Sequence, residues 1–127
     1  MSFAFDPDSG LIVVRCELRG PSGEAILRLA LDTGATRTTI NAAMLTAIGY
    51  DPALSPERFQ VTMGSGVEYV PRIVVEKMSV LGQVKTDVSV LCHTLPPSAG
   101  VDGVLGVDFF RKRRLIIDFS TGTIVVD

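Results

Sequence analysis

Turn residues interrupt this sequence at short intervals, and the segments between them are rich in strand-forming residues. Valine, isoleucine and threonine together supply 34 of the 127 residues, and these β-branched types pack well on a pleated sheet. The spacing predicts an all-β fold of many short strands, organised as a single domain over residues 1–127. One helix is predicted at residues 41–48, where Asn41 caps the start and Gly49 ends it. A second short helix is expected after Asp108.

The predicted strands form hairpins around glycine-containing turns. Gly64-Ser65-Gly66 and Leu81-Gly82-Gln83 are typical of tight connections between antiparallel strands. Apolar segments at both chain ends also have strand character. The predicted strands cover residues 11–18, 25–31, 59–63, 67–70, 73–80, 84–92, 115–119 and 123–126.

Composition and charge exclude several classes of function. A net charge of −2 disfavours a nucleic-acid binder, which normally presents a strongly basic surface. No apolar stretch approaches the roughly 18 residues of a membrane span, so no integral membrane segment is expected. The first residues lack the pattern of a secretory signal. Cys16 and Cys92 are expected to be reduced, buried thiols of a cytoplasmic protein.

One acidic residue stands directly after an apolar strand, in the segment Leu29-Ala30-Leu31-Asp32-Thr33-Gly34-Ala35-Thr36. A rigid strand would deliver the carboxylate of Asp32 to a turn. Thr33 offers a hydroxyl that can lock the turn, and Gly34 permits close approach of another backbone. The triplet alone should occur by chance in on the order of one in twenty chains of this length. By itself it therefore indicates no more than a strand-ending turn.

Two further segments change that interpretation. Gly64-Ser65-Gly66 and Gly103-Val104-Leu105-Gly106-Val107-Asp108-Phe109-Phe110 follow the acidic turn in this order. With them the chain resembles the retropepsin-like aspartic proteases, the single-lobed relatives of pepsin. The resemblance covers nearly the whole chain, including residues 115–119. It implies a closed acid-protease barrel with one or two short helices, active as a two-fold homodimer.

The resemblance also implies roles for individual residues. Asp32 of each subunit would share one catalytic site, with Thr33 hydrogen-bonding across the dimer and Gly34 completing the turn. Val104, Leu105 and Gly106 would pack behind that turn. The residues that would contact a bound peptide, several of them in a flap over it, are Ala35, Met63, Gly64, Ser65, Gly66 and Val104.

The activity implied is that of an aspartic endopeptidase, in which a water between two Asp32 carboxylates attacks a peptide bond. No metal or cofactor is expected, and the partners are a second copy and a peptide or protein substrate. Apolar side pockets are expected to include Ile40, Met63 and Val104. Arg37 and Asp108 are predicted to form an ion pair.

A second interpretation stays open, in which the fold is a non-catalytic dimerisation or peptide-binding module. Asp32 favours the enzyme, because a buried carboxylate is costly where it has no chemical task. His93 is expected to be a surface or satisfied polar residue. The basic run at residues 111–114 is expected to be a solvated face.

Overall fold

The computed structural model describes residues 1–63 and 65–127, and of Met63 it describes the backbone alone. Within these residues the chain forms ten strands and one α-helix. The strands are β1 (Ser2–Ala4), β2 (Val13–Gly20), β3 (Gly23–Leu31), β4 (Thr39–Asn41), β5 (Arg58–Met63), β6 (Gly66–Val80), β7 (Gln83–His93), β8 (Gly103–Leu105), β9 (Leu115–Asp118) and β10 (Thr123–Val126), and the helix is α1 (Ala42–Ala47). Three 3₁₀ turns lie at Pro52–Leu54, Pro97–Ala99 and Val107–Phe110. The predicted all-β class is confirmed.

Six strands close into a barrel in the order β2-β3-β8-β4-β7-β6. The ring closes because β6 pairs with β2 as well as with β7, in an antiparallel register that sets Cys16 opposite Val80. Closure removes the free sheet edges that an open sheet would expose. β5 lies outside the ring and pairs with β6. The barrel thus carries one projecting arm, the β5–β6 hairpin.

The core fills the inside of this barrel. Along β2 buried and exposed residues alternate, with Val14, Cys16 and Leu18 inside, as period-two geometry requires. Leu27 and Leu29 of β3 are fully buried, and each such side chain contributes about 1.5–3 kcal/mol to folding. Burial also raises the pKa of the Cys16 thiol to about 12. Cys16 therefore stays neutral, and like Cys92 it is a free, buried thiol, as the sequence predicted.

Helix α1 agrees closely with the predicted helix at residues 41–48. Asn41 is its N-cap, and the side-chain Oδ1 of Asn41 accepts a hydrogen bond of 3.4 Å from the amide of Ala43. Gly49 follows at φ +103°, a backbone conformation that favours glycine. The second predicted helix is the 3₁₀ turn at Val107–Phe110. It begins one residue before Asp108, because Gly106 is its N-cap.

Strand β6 is longer than predicted. The sequence suggested separate strands at residues 67–70 and 73–80, whereas the structure has one strand, Gly66–Val80. Pro71 lies where β6 changes partner, since residues 66–71 pair with β5 and residues 72–80 pair with β7. A proline is tolerated at such a position, where neither ladder is interrupted in its middle. The continuous strand connects the hairpin arm rigidly to the barrel.

The two chain ends form a separate three-stranded sheet in the order β1-β10-β9. Phe3 faces Ile124 across the first pair, and the amide of Phe5 donates to the carbonyl of Gly122 at 2.9 Å. Both terminal strands were predicted from the sequence. Among the described residues, the outer edges of β1 and β9 pair with no other strand.

A substitution at Gly103 tests how closely β8 packs against β3 and β4. A methyl group at this position would overlap the carbonyl oxygen of Thr39 and lie 3.0 Å from Cδ2 of Leu29. We expect Gly103→Ala to destabilise the protein by about 1–3 kcal/mol through overpacking. Urea unfolding measures the change. The control is Gly10→Ala, because a Cβ there meets nothing within 4 Å, and a similar loss in both variants would contradict this packing.

Candidate active site

The predicted catalytic turn begins where β3 leaves the barrel. The amide of Asp32 donates to the carbonyl of Leu105 at 3.0 Å, which extends the β3–β8 pairing by one residue. Oδ1 of the Asp32 carboxylate accepts a hydrogen bond of 2.8 Å from the amide of Gly34. The amide of Ala35 in turn donates to the carbonyl of Asp32 at 3.1 Å. These bonds make residues 32–35 a compact turn of fixed shape.

The Asp32 carboxylate is exposed, and so are Thr33 and Gly34. The expectation of a buried carboxylate was therefore wrong for the single chain. The reason is its position beyond the last residue of β3, since the buried run of that strand ends at Leu31. Asp32 thus presents its charge at the surface of one chain.

Strand β8 and the residue after it support the turn from behind. β8 runs parallel to β3, with Val104 opposite Ala30 and Leu105 opposite Leu31. The amide of Val107 donates to the carbonyl of Ala35 at 2.9 Å. A Cβ on Gly106 would lie 2.9 Å from that same carbonyl oxygen, so only glycine fits the crossing. The expected packing of Leu105 and Gly106 behind the turn is confirmed.

A buried hydrogen-bond network anchors this crossing. Thr38 is 2% exposed; its hydroxyl donates to Oδ1 of Asp108 at 2.8 Å and its amide donates to Oδ2 at 3.0 Å. The same hydroxyl accepts from the amide of Gly106 at 3.1 Å. Sequence reasoning missed Thr38, because nothing distinguishes it from the neighbouring threonines. The contact joins residues separated by 70 positions in the chain.

The predicted ion pair between Arg37 and Asp108 does not form. Both carboxylate oxygens of Asp108 are taken by Thr38. The guanidinium carbon of Arg37 instead lies over the ring of Phe59 in β5, 4.7 Å from the ring centroid. Arg37 therefore connects the segment that follows the Asp32 turn to the β5–β6 hairpin.

The predicted substrate-contacting residues fall into two groups. Ala35 and Val104 are half-buried at the turn and on β8, while Ser65 and Gly66 are exposed at the tip of the hairpin. Gly64 and the side chain of Met63 lie outside the described residues. Ile40 was wrongly expected in a side pocket: it is fully buried in the barrel core.

His93 supports the hairpin rather than the catalytic turn. Its Nε2 lies 3.1 Å from Oε2 of Glu68 in β6, and its Nδ1 lies 2.9 Å from the carbonyl oxygen of Thr94. Both ring nitrogens are thus satisfied, as predicted. The basic residues 111–114 are exposed, which agrees with a solvated face.

Two grooves of the described surface lie away from Asp32. One, of about 510 Å³, is lined by residues of β1, β2 and the β6–β7 turn, and the other, of about 300 Å³, lies beside residues 50–57. Within residues 1–63 and 65–127, no group of three His, Cys, Asp or Glu side chains could hold a metal ion. No helix in those same ranges is long and apolar enough to cross a membrane.

Comparison with known proteins agrees with this architecture. Residues 22–112 match the family described as "gag-polyprotein putative aspartyl protease". The chain belongs to this family of retropepsin-like aspartyl proteases. No curated protein matches it by sequence.

Two solved structures share the fold. A retropepsin-like aspartic protease from Rickettsia conorii is similar with a TM-score of 0.70 at 13% identity, over 99% of this chain and 88% of that one. The retroviral protease-like domain of Ddi1 from Leishmania major is similar with a TM-score of 0.64 at 16% identity, over 94% of this chain and 90% of that one. At these identities the likeness establishes the retropepsin-like fold alone.

Thr38→Val tests the hydrogen-bond network of Thr38, Asp108 and Gly106 behind the Asp32 turn. The substitution keeps the shape but leaves Asp108 Oδ1 and the Gly106 amide without their partner, which costs about 1–3 kcal/mol. Thr38→Ser keeps the hydroxyl and should lose less. Thr86→Val is the matched control, because Thr86 is exposed on β7 and should change stability by about 0.5 kcal/mol or less. Thermal and urea unfolding measure the stability of all three variants. If Thr38→Val is as stable as the wild type, the hydrogen-bond network does not stabilise the fold.

Proposed function

We propose that this chain, a single retropepsin-like domain over residues 1–127, is an aspartic endopeptidase that acts as a homodimer. The observation that carries the proposal is the position of Asp32. Its carboxylate is exposed on a turn held by Gly34 and backed by Leu105 and Gly106, in a member of an aspartyl protease family. A rigid, exposed carboxylate is the arrangement that acid–base chemistry on an incoming substrate requires.

One chain supplies one such carboxylate, so the mechanism needs a second copy. Two Asp32 carboxylates held close together cannot both ionise, and they share one proton. The ionised carboxylate takes a proton from a water held between the two, and that water attacks the carbonyl carbon of the peptide bond. The protonated carboxylate gives its proton to the carbonyl oxygen, so the carbon carries two hydroxyl groups. The other carboxylate then passes the proton it took from water to the amide nitrogen, the C–N bond breaks and the amine leaves. One hydroxyl proton returns to the pair as the carboxyl group of the product forms. The pair acts as one titrating unit.

Two-fold pairing would complete the site, and the chain ends support it. The sheet β1-β10-β9 presents unpaired outer edges among the described residues, and such edges readily pair with another chain. Ile116 of β9 and the nearby Phe119 are exposed, at 42% and 61%. In the dimer, Thr33 would donate its hydroxyl across the two-fold axis and hold the two turns in register.

The β5–β6 hairpin would act as the flap over a bound peptide. The peptide would lie extended between the flap and the turn, bonded in part through its main chain as an added strand. Ala35 and Val104 would form the floor, with Met63, Gly64, Ser65 and Gly66 above.

Asp32→Asn tests the catalytic role. The full chain and the variant are incubated with a mixed peptide library between about pH 4 and 7, a range set by carboxylate titration. We expect cleavage by the wild type and a loss of at least about a hundredfold in the variant, measured by mass spectrometry of the products. Asparagine fills the same space, so circular dichroism should show an unchanged fold. A folded, dimeric wild type that cleaves nothing would favour the non-catalytic peptide-binding module.

Mixing the two chains tests whether the site is shared. The wild type and Asp32→Asn are mixed in varying proportion at constant total chain concentration and allowed to exchange subunits, and cleavage is measured. If each site needs both Asp32 residues, activity falls with the square of the wild-type fraction. A linear fall would show that single chains act independently. Light scattering at micromolar concentration gives the oligomeric state, and a monomer that cleaves peptides would refute the shared site.

A further inference from the structure

The side chain of Arg37 spans from the catalytic turn to the hairpin. Its backbone is fixed, because a Cβ on Gly106 would lie 2.8 Å from the carbonyl carbon of Arg37 and the next amide, of Thr38, is bonded to Asp108. Its guanidinium rests over the ring of Phe59, at 4.7 Å from the centroid. The positive charge therefore has a defined place between the Asp32 turn and β5.

This charge has no carboxylate partner among the described residues. The ion pairs of residues 1–63 and 65–127 join other side chains. Three carboxylates on the surrounding elements are already engaged: Glu57 with Arg72, Glu68 with His93, and Asp108 with Thr38. Arg37 is exposed, so its guanidinium faces solvent where it does not touch Phe59.

The contact with Phe59 leaves the donors of Arg37 available. A contact between the guanidinium carbon and a ring face is an electrostatic attraction that uses no N–H donor in a hydrogen bond. The fork of N–H donors on a guanidinium matches the two oxygens of a carboxylate. The ring also limits the side chain's freedom, so less entropy is lost when a ligand binds.

We propose that Arg37 is a specificity-determining residue that binds a carboxylate of the peptide, either an Asp or Glu side chain close to the scissile bond or the peptide's own chain end. The inference rests on the proposed function, because it places the peptide between the hairpin and the Asp32 turn. An extended peptide between the hairpin and the Asp32 turn would lie beside the Arg37 guanidinium. An acidic group of the peptide would then replace water around this positive charge. A neutral amide of the same shape cannot form the charge-assisted pair.

The test compares peptides that differ only in this charge. Short peptides amidated at the C-terminus are made in matched pools, with Glu and Asp in one pool and Gln and Asn in the other. The wild type, Arg37→Gln and Arg37→Glu are compared with the control Lys77→Glu. Lys77 is exposed on β6 and pairs with Arg19 and Thr86 in the ladders, so its replacement gives the same charge change as Arg37→Glu on the barrel wall.

We expect the wild type and Lys77→Glu to cleave acidic peptides up to about fivefold faster than their amide partners, as a charge-assisted contact at an exposed site predicts. Arg37→Gln should cleave both pools alike, and Arg37→Glu should prefer the amides. Peptides with a free C-terminal carboxylate form a second set, and a preference confined to them assigns the contact to the chain end. Equal cleavage of both pools in both sets, or an acid preference that survives in Arg37→Gln, overturns the proposal.

A binding measurement separates this inference from the proposed activity. The same pools are passed over immobilised Asp32→Asn chain, with and without Arg37→Gln, and retained peptides are counted by mass spectrometry. Enrichment of acidic peptides that needs Arg37, without cleavage by the wild type, supports the inference and refutes the endopeptidase. Cleavage that needs Asp32, with no acid preference in either measurement, refutes the inference alone. If no peptide is retained or cleaved, both are refuted.

Discussion

The parallel pairing of β3 with β8 is the contact on which the candidate site depends. It joins Leu31 to Leu105 and continues into the bond from the Asp32 amide to the Leu105 carbonyl. Each strand then leaves the barrel in its own turn, and the two turns cross where Gly106 meets Ala35. Residues far apart in sequence are thereby fixed against each other by backbone contacts, and the Thr38 hydroxyl adds a hydrogen bond from the Gly106 amide. This close approach makes the position of Asp32 a property of the barrel rather than of a flexible loop.

The β5–β6 hairpin contacts the rest of the candidate site through side chains, whereas β3 and β8 are joined through their backbones. Arg37 reaches Phe59 of β5, and His93 reaches Glu68 of β6. Both contacts join exposed or half-buried groups, so they are weaker than the backbone pairing inside the barrel. The arrangement combines a floor fixed by backbone pairing with a hairpin that continues into the barrel through β6 and contacts the floor through a few side chains. A peptide bound between them, as proposed, would replace these surface contacts with its own and leave the core undisturbed.

Helix caps and turns were predicted correctly, because they depend on residues that are neighbours in the sequence. The helix cap at Asn41, the left-handed Gly49 and the turn at Leu81-Gly82 each depend on neighbouring residues, and each forms as predicted. Errors occurred where the determinant is tertiary. Two strands were expected at residues 67–70 and 73–80, yet they form one strand that changes partner at Pro71. Ile40 was expected in a substrate pocket, yet β4 lies between β8 and β7 inside the barrel wall and turns that side chain into the core.

The sequence by itself determined the all-β class and the acidic turn at Asp32, because strand propensity and turn chemistry are set by residue type. The need for glycine at position 106 comes from a tertiary crossing, since a Cβ there would lie 2.9 Å from the carbonyl oxygen of Ala35. The partners of Thr38, Arg37 and Asp108 were decided only by the tertiary structure. Charge alone favoured pairing Arg37 with Asp108, but the fold places a buried hydroxyl and amide of Thr38 against that carboxylate. Because both oxygens of the Asp108 carboxylate accept hydrogen bonds from Thr38, Arg37 forms no ion pair with it. The Arg37 guanidinium lies over the ring of Phe59 instead.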